Sequence, residues 1–393
     1  MLECARFGLA YASKTTAANY SAHAAKATAG AVSRSRTLAP VGRNALNAAT
    51  ESIRPAPTVT VVIPVYNGSA TLRQSLDPLL AMQRSGEVAE IIVVDDGSSD
   101  ATAAIAAAAG VRVVESGGRL GPGGARNVGA AVAAGEILWF VDADVVVHAD
   151  GARVLLEALR ATGAAAVFGS YDDDPPAPNF LSQYKNLVHR YQHIHAGGDV
   201  DTFWAGCGAI SAKAFAEAGG FDAGKYPHSS IEDIELGLRL RQRGLRIHLE
   251  PALLATHLKI WRLPNLLRTE VCRRAMPWSR LILEHGWWSR SLNMDAGERF
   301  RALLAACWLA ALLLTAAGLA PAWPALILLG LIALANRRLF GFFRRRRGTL
   351  FAIGGVLYHQ VYYLYSAGTF AYCLAAHRWS AMRRRLDRRI HPA

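Results

Sequence analysis

The chain has 393 residues, 52% of them hydrophobic, and a formal net charge of +13, enough for one large domain plus an appended segment and too apolar for a disordered protein. The charge suggests a nucleic-acid binder until it is located: residues 1–57 carry +5, residues 337–393 carry +11 and residues 58–336 sum to −3. Basic surface at the tail, beside apolar segments, points to an anionic membrane surface as partner and excludes nucleic acid. The five cysteines are scattered and never in C-x-x-C spacing, which gives no zinc site and fits a reducing, cytoplasmic setting for the main domain.

Residues 1–57 are rich in Ala, Ser, Thr and Arg, poor in acids and without an apolar run long enough for a signal peptide. They read as a disordered or mis-started extension. From Thr58 the pattern becomes regular. It predicts strands at Val59–Pro64, Glu90–Val94, Val111–Val114 and Ile137–Val141, alternating with helices at Ser69–Ser85, Ala101–Ala109 and Ala125–Ala134. That alternation implies parallel βαβ units, whose ligand sits at the carboxyl ends of the strands.

Further on, the spacing predicts a helix near Ala152–Ala161, a strand at Ala166–Tyr171, a Pro-rich loop at Asp172–Pro178 and a helix at Phe180–Ala196. A strand at Phe203–Ser211, helices at Ala212–Ala218 and Ile231–Arg243, and an amphipathic helix over 264–285 complete the domain. His189, His193 and His195 could hold a metal, but their helical phase is poor and no carboxylate accompanies them.

The chemistry falls at strand ends. Trp139–Asp144 is an apolar strand closing on Asp142 and Asp144, two carboxylates that either bind a divalent cation with an anionic ligand or cap the strand. The first strand leaves through Pro64, Tyr66 and Asn67, and the second through Asp95 and Asp96, acids able to serve a nucleotide base or ribose, or simply a turn. Gly121–Asn127 opens a helix, so that its backbone N–H groups and Arg126 could meet a diphosphate. The same segment invites a dinucleotide reading with Asp142 as the acid, except that Arg126 occupies the third glycine position. Glu232 and Asp233 lie in the first turn of a helix, as caps or with Asp233 as a general base.

Taken together, I-P-V-Y-N, V-D-D-G-S, G-P-G-G-A-R-N, D-A-D and E-D in this order resemble the family-2 glycosyltransferases of GT-A fold, over residues 58 to about 290. The resemblance implies an α/β, Rossmann-like, central mostly parallel sheet and inverting transfer from a nucleotide-diphosphate sugar. It places Pro64, Tyr66, Asn67, Asp95, Asp96, Gly123, Arg126, Asn127 and Asp142 at the donor. Mg²⁺ or Mn²⁺ would sit on Asp142, Asp144 and His257, with Asp233 as catalytic base. Trp204, Glu232, Arg274 and Trp278 are candidates for the acceptor side. The Q-x-x-R-W of processive synthases is replaced by Arg273–Trp278 with other spacing, so single addition is expected. A nucleotidyltransferase and a non-catalytic nucleotide- or lipid-binding module remain as alternatives.

Residues 302–335 carry no charge and are broken by Pro321–Pro324, which predicts a membrane hairpin. The second apolar stretch, 349–376, suits a span or an interfacial segment, and 377–393 is a basic tail. The Arg clusters at 344–347 and 383–389 should stay cytoplasmic by the positive-inside rule. These features place the protein at a bacterial inner membrane with its catalytic domain cytoplasmic, acting on a lipid or lipid-linked acceptor. Because all five motifs precede residue 293, a chain ending there should keep its site.

Overall fold

The computed structural model describes residues 57–286 and 296–390, and the extension expected at 1–57 lies, but for its last residue, outside them. The first strand, β1 (Val59–Val65), is buried at every residue because helices cover both faces of the sheet. It is followed by α1 (Leu72–Arg84), β2 (Glu90–Asp95), α2 (Thr102–Ala108), β3 (Arg112–Glu115), α3 (Gly121–Val132) and β4 (Ile137–Val141). β1, β2, β3 and β4 pair in parallel, as strands separated by helices must.

The chain then forms β5 (Val145–Val147), α4 (Gly151–Thr162), β6 (Ala166–Tyr171), α5 (Phe180–Ala196), β7 (Gly198–Val200), β8 (Cys207–Ser211), α6 (Ala212–Ala218), α7 (Glu232–Gln242) and β9 (Ile247–His257). The sheet order is β3-β2-β1-β4-β8-β6-β9-β5, with β7 also on β9. The central sheet is thus parallel in the half holding the first four strands. Beyond them β8 runs antiparallel to both β4 and β6, while β6 and β9 are again parallel.

One core layer packs Leu72, Leu76, Leu79 and Met82 of α1 and Leu155 of α4 against Val61, Ile63 and Trp139. The other packs Ala125 of α3, Phe215 of α6 and Leu236 and Leu240 of α7 against Val62, Val94 and Phe140. β9 and the short β5 and β7 were not among the predicted elements. β9 buries every second residue from Ile247 to His257 except Pro251, but a proline inside the run and apolar Leu254 on the less buried face mask that period in the sequence.

The amphipathic helix expected over 264–285 is broken into α8 (Leu263–Arg268), a π-helical turn at Thr269–Ala275 and α9 (Met276–His285). Next come α10 (Ala296–Ala316), α11 (Trp323–Ala335) and α12 (Arg337–Ile390), the last interrupted at Gly348, φ +83°. α10 and α11 pack on each other through Leu304 and Ile332, with Val356 of α12. Among the described residues α10 alone is long and apolar enough to cross a membrane, while α11 and α12 pass that test only together, bent by 71°. Large apolar side chains on α10 and α11, including Leu313, Trp323 and Leu326, are exposed.

α12 is also docked on the sheet domain. Leu339, Phe342 and Phe343 pack on Tyr184, Leu187 and Val188 of α5. Arg346 meets Asp173 at 2.8 Å, and Arg347 reaches Asp174 at 3.0 Å and Gln183 at 2.7 Å. The cluster at 344–347 is therefore on the sheet domain's side of the apolar hairpin, and it holds the Pro-rich loop.

Close packing of α3 on the sheet depends on Gly129, where an added Cβ would press on Val62 and, at 2.9 Å, on Val94. Both neighbours are buried strand residues with no room to yield. Gly129→Ala is expected to destabilise the protein by about 1–3 kcal/mol, the usual cost of overpacking, measured as a lower denaturation midpoint with unchanged slope.

Candidate active site

The carboxyl ends of β1, β2 and β4 bring three motifs together. Pro64 is buried within β1, and Asn67 follows in the left-handed region at φ +50°, a conformation Asn tolerates through local hydrogen bonding. Asn67 Oδ1 accepts from Ser99 N (2.8 Å), and its own N–H donates to Ser98 Oγ (2.9 Å). The first two strand ends are thereby tied together. Tyr66 is exposed with the Arg119 guanidinium 3.6 Å from its ring centroid, a flat cationic platform at the end of β1.

Asp95 and Asp96 differ. Asp95 Oδ1 accepts from Ser98 N. Asp96, 4% exposed, accepts from Leu120 N and Ser116 Oγ on one oxygen and from Gly121 N on the other. Its carboxylate therefore anchors the start of α3, and the geometry gives it to the protein rather than to a base.

α3 begins four residues earlier than predicted, at Gly121, whose φ is +78° and whose missing Cβ leaves room for the Pro227 carbonyl. Gly123 packs against Phe221 and Glu232. Asn127 donates to Phe221 O (2.8 Å) and accepts from Phe221 N (2.9 Å). These two residues, expected at the donor, instead clamp the loop that leads to α7.

Arg126 is the larger correction. Expected to meet a diphosphate, it is buried and bridges Asp142 (2.6 Å) and Glu232 (3.2 Å). Burial disfavours its charge, but Asp142, Glu232 and Asp233 outweigh this and raise its pKa. Glu232, expected near the acceptor, also accepts from Ser230 N, so it braces the loop.

Asp233 sits beside this pair, with Oδ2 accepting from Ala205 N (3.1 Å) and Oδ1 from Ile234 N (2.8 Å). Burial first, and then the neighbouring Glu232 charge, push its carboxyl up to about 7. That is the range in which a carboxylate works as a base at neutral pH.

On the β5–β9 side, Asp144 Oδ2 lies 3.7 Å from His257 Nε2. Burial raises the Asp144 pKa, but His257 and Lys259 outweigh it and leave the carboxyl below its ordinary value. The His257 ring is stacked on Tyr171 at 4.3 Å. Among the described residues no three His, Cys, Asp or Glu side chains cluster as a complete metal site. Asp142 is accordingly not gathered with the other two; its Oδ1 is on Arg126. An oxygen and an imidazole nitrogen facing each other nonetheless fit a divalent cation whose remaining positions are filled by a ligand.

A cavity of about 230 Å³ opens over Asp233. Trp204, Arg274 and Trp278 line it, Trp204 being wedged between Tyr171 and His189 at 4.9 and 4.8 Å. His189 and His193 are kept neutral by burial, His193 with its pKa pushed down to about 3, and His193 Nδ1 faces the Gly169 carbonyl. His189 and His193 are thus part of the cavity wall.

Sequence reasoning missed three parts of the wall: Lys185, Glu270 and a tyrosine face of α12. Lys185 and Arg274 both pair with Glu270, at 2.9 and 3.2 Å. Tyr358, Tyr362 and Tyr365 enter from α12, and Tyr365 donates to Glu270 (3.3 Å). Their spacing of four and three residues marks one helix face, a signal visible in the sequence but absorbed into the membrane reading. A chain ending at 293 would lose this wall, so the motifs alone do not make the whole cavity.

Residues 60–219 match the model of Glycosyl transferase family 2. Over 124 residues the chain is 36% identical to the succinoglycan biosynthesis protein ExoO of Rhizobium meliloti (strain 1021), covering 31% of this chain and 35% of that protein. Over 217 residues it is 30% identical to the pre-mycofactocin glycosyltransferase of Mycobacterium tuberculosis (strain CDC 1551 / Oshkosh), covering 51% and 42%. The chain thus spans about a third to two fifths of the length of these relatives. Among solved structures, the mannosyltransferase PcManGT from Pyrobaculum calidifontis, in complex with GDP-Man and Mn²⁺, superposes with a TM-score of 0.50 at 20% identity over 79% of this chain and 92% of that one, a likeness of fold.

Removing the bridge should expose its structural role. Arg126→Ala leaves Glu232 buried without its cation and is expected to cost about 3–5 kcal/mol, with partial recovery in Arg126→Lys. Chemical denaturation of the two variants beside wild type measures this.

Proposed function

We propose that this chain, whose residues 60–219 match glycosyl transferase family 2, moves a sugar from a nucleotide-diphosphate donor to an acceptor hydroxyl, with inversion at the anomeric carbon. The observation that carries the reading is Asp233: a carboxylate fixed by two backbone N–H groups beneath a cavity, with a pKa near 7. Its role is general base, taking the acceptor proton as the nucleophile attacks the face opposite the departing diphosphate.

Donor recognition falls to the strand ends, with the base over Tyr66 and Arg119 and the ribose near Asp95. Asp144 and His257 would hold Mg²⁺ or Mn²⁺, which supplies positive charge to the leaving diphosphate when bound. Asp142, engaged by Arg126, links the end of β4 to the helix carrying the base. The Pyrobaculum mannosyltransferase, solved in complex with GDP-Man and Mn²⁺, supports a nucleotide sugar and a divalent ion here too.

A membrane-bound acceptor fits the apolar hairpin and the basic α12. With Arg346 and Arg347 fixed to Asp173 and Asp174, the positive-inside rule sets the sheet domain on the cytoplasmic face, and in a bacterium this is the inner membrane. A nucleotidyltransferase would need a cation for the α-phosphate, whereas Arg126 is committed to two acids.

Asp233→Asn is expected to lower the transfer rate by at least about 10²-fold with nucleotide-diphosphate affinity within a few fold, since an amide cannot accept the proton. Rates within about tenfold of wild type would remove Asp233 from the base role. Because the base works deprotonated, kcat/KM of the wild type should rise with pH through a midpoint near 7 and plateau above it. Asp144→Ala should instead lose metal-dependent binding of nucleotide diphosphate, read by calorimetry with and without Mn²⁺.

A further inference from the structure

The cavity over Asp233 is built from two parts of the chain. α5, the α8–α9 segment and the loop before α7 supply one side, and Tyr358, Tyr362, Tyr365 and Ser366 of α12 supply the other. Resting on the glycosyltransferase reading, we propose that this cavity is the acceptor subsite and that it takes a neutral, hydroxyl-bearing sugar ring, with α12 providing the binding wall.

Charge decides against an anionic acceptor. The three cations that line the cavity are each ion-paired: Arg126 with Asp142 and Glu232, Lys185 and Arg274 with the same Glu270. A phosphate acceptor would have to break one of these pairs and leave a buried acid uncompensated, a strongly unfavourable exchange. A phosphate monoester is also already ionised at neutral pH and needs no base, whereas a sugar hydroxyl needs the carboxylate that Asp233 offers.

The wall groups suit a sugar. Trp278 and Trp204 give flat apolar faces of the kind that pack against the C–H face of a pyranose. Four lining residues keep a buried polar atom with no hydrogen-bond partner among the described residues: Trp278 Nε1, Tyr358 Oη, His189 Nδ1 and Thr202 Oγ1. Unsatisfied groups of this sort are uncommon in proteins, and this set is neutral, mixing donors and acceptors as a ring of hydroxyls requires. About 230 Å³ is below the usual range for drug-sized ligands, which limits the enclosed part to a single ring. The rest of an acceptor would extend outside, along the apolar hairpin.

The experiment uses the full chain in phospholipid nanodiscs with a panel of nucleotide sugars, offering n-octyl hexosides in one arm and undecaprenyl phosphate in the other. Transfer to at least one hexoside, with saturation, is expected. Tyr362→Ala should raise the hexoside KM at least tenfold with kcat changed less than threefold, and Tyr358→Phe, which removes a single hydroxyl, should raise it several-fold. Transfer to undecaprenyl phosphate alone, or a hexoside KM unaltered in both variants, would overturn the proposal while leaving the glycosyltransferase reading intact. A wild-type chain that turns over no nucleotide sugar, with either acceptor or with water, would overturn both.

Discussion

A buried guanidinium holds the two halves of the site in register. Arg126 stands on the first turns of α3, a helix of the parallel half of the sheet, and its two carboxylate partners come from elsewhere: Asp142 from the end of β4 and Glu232 from the start of α7. A charge this buried is tolerated only when paired, so the three elements cannot separate without a large cost. The residues around it share the task. Gly121, Gly123 and Asn127 bring α3 against the loop that carries Pro227 and Phe221, and Asp96 fixes the start of the helix. Asp233, next to Glu232, inherits its position and its raised pKa from the same assembly.

This arrangement explains why the sequence was legible in some places and not in others. The nucleotide half announces itself because parallel strands covered on both faces are short apolar runs, and turn residues must follow them. β4 and β6 fall where the pattern places them, as do α5 and α6. The second half is harder, since β7 is three residues long, β9 carries Pro251 within its run and both pair across distant segments. The π-helical turn at Thr269–Ala275 similarly interrupts a segment whose periodicity suggests one continuous helix.

The site shows a related division. Asp142, Asp144 and Asp233 stand out in the sequence because acids at strand ends and helix starts carry an evident chemical meaning. What the sequence does not display is which acid has a partner. Arg126, Asp96, Asn127 and Glu232 look like ligand-binding residues because phosphates, bases and sugars are recognised by the same side chains that lock loops together. Contacts between segments apart in the chain, such as Asn127 with Phe221 or Arg126 with Glu232, separate the two uses. The domain expected to end near residue 290 also makes contacts with residues beyond it that the sequence does not display: Tyr365 and Glu270 lie 95 positions apart.

The joining of α12 to the catalytic half has a mechanical consequence. Its break at Gly348 lies beside Arg346 and Arg347, which hold Asp173 and Asp174. One residue before them, Asp172 receives Thr256 of β9 and faces His148 at 3.1 Å. One residue earlier still, Tyr171 stacks on His257. A continuous run of contacts therefore leads from the basic segment of α12 to the histidine beside Asp144. The same helix, about three to five turns further on, presents Tyr358, Tyr362 and Tyr365 to the cavity. Donor-side and acceptor-side geometry thus both depend on the seating of one helix, and the surface that seats it is ionic at one end and aromatic at the other.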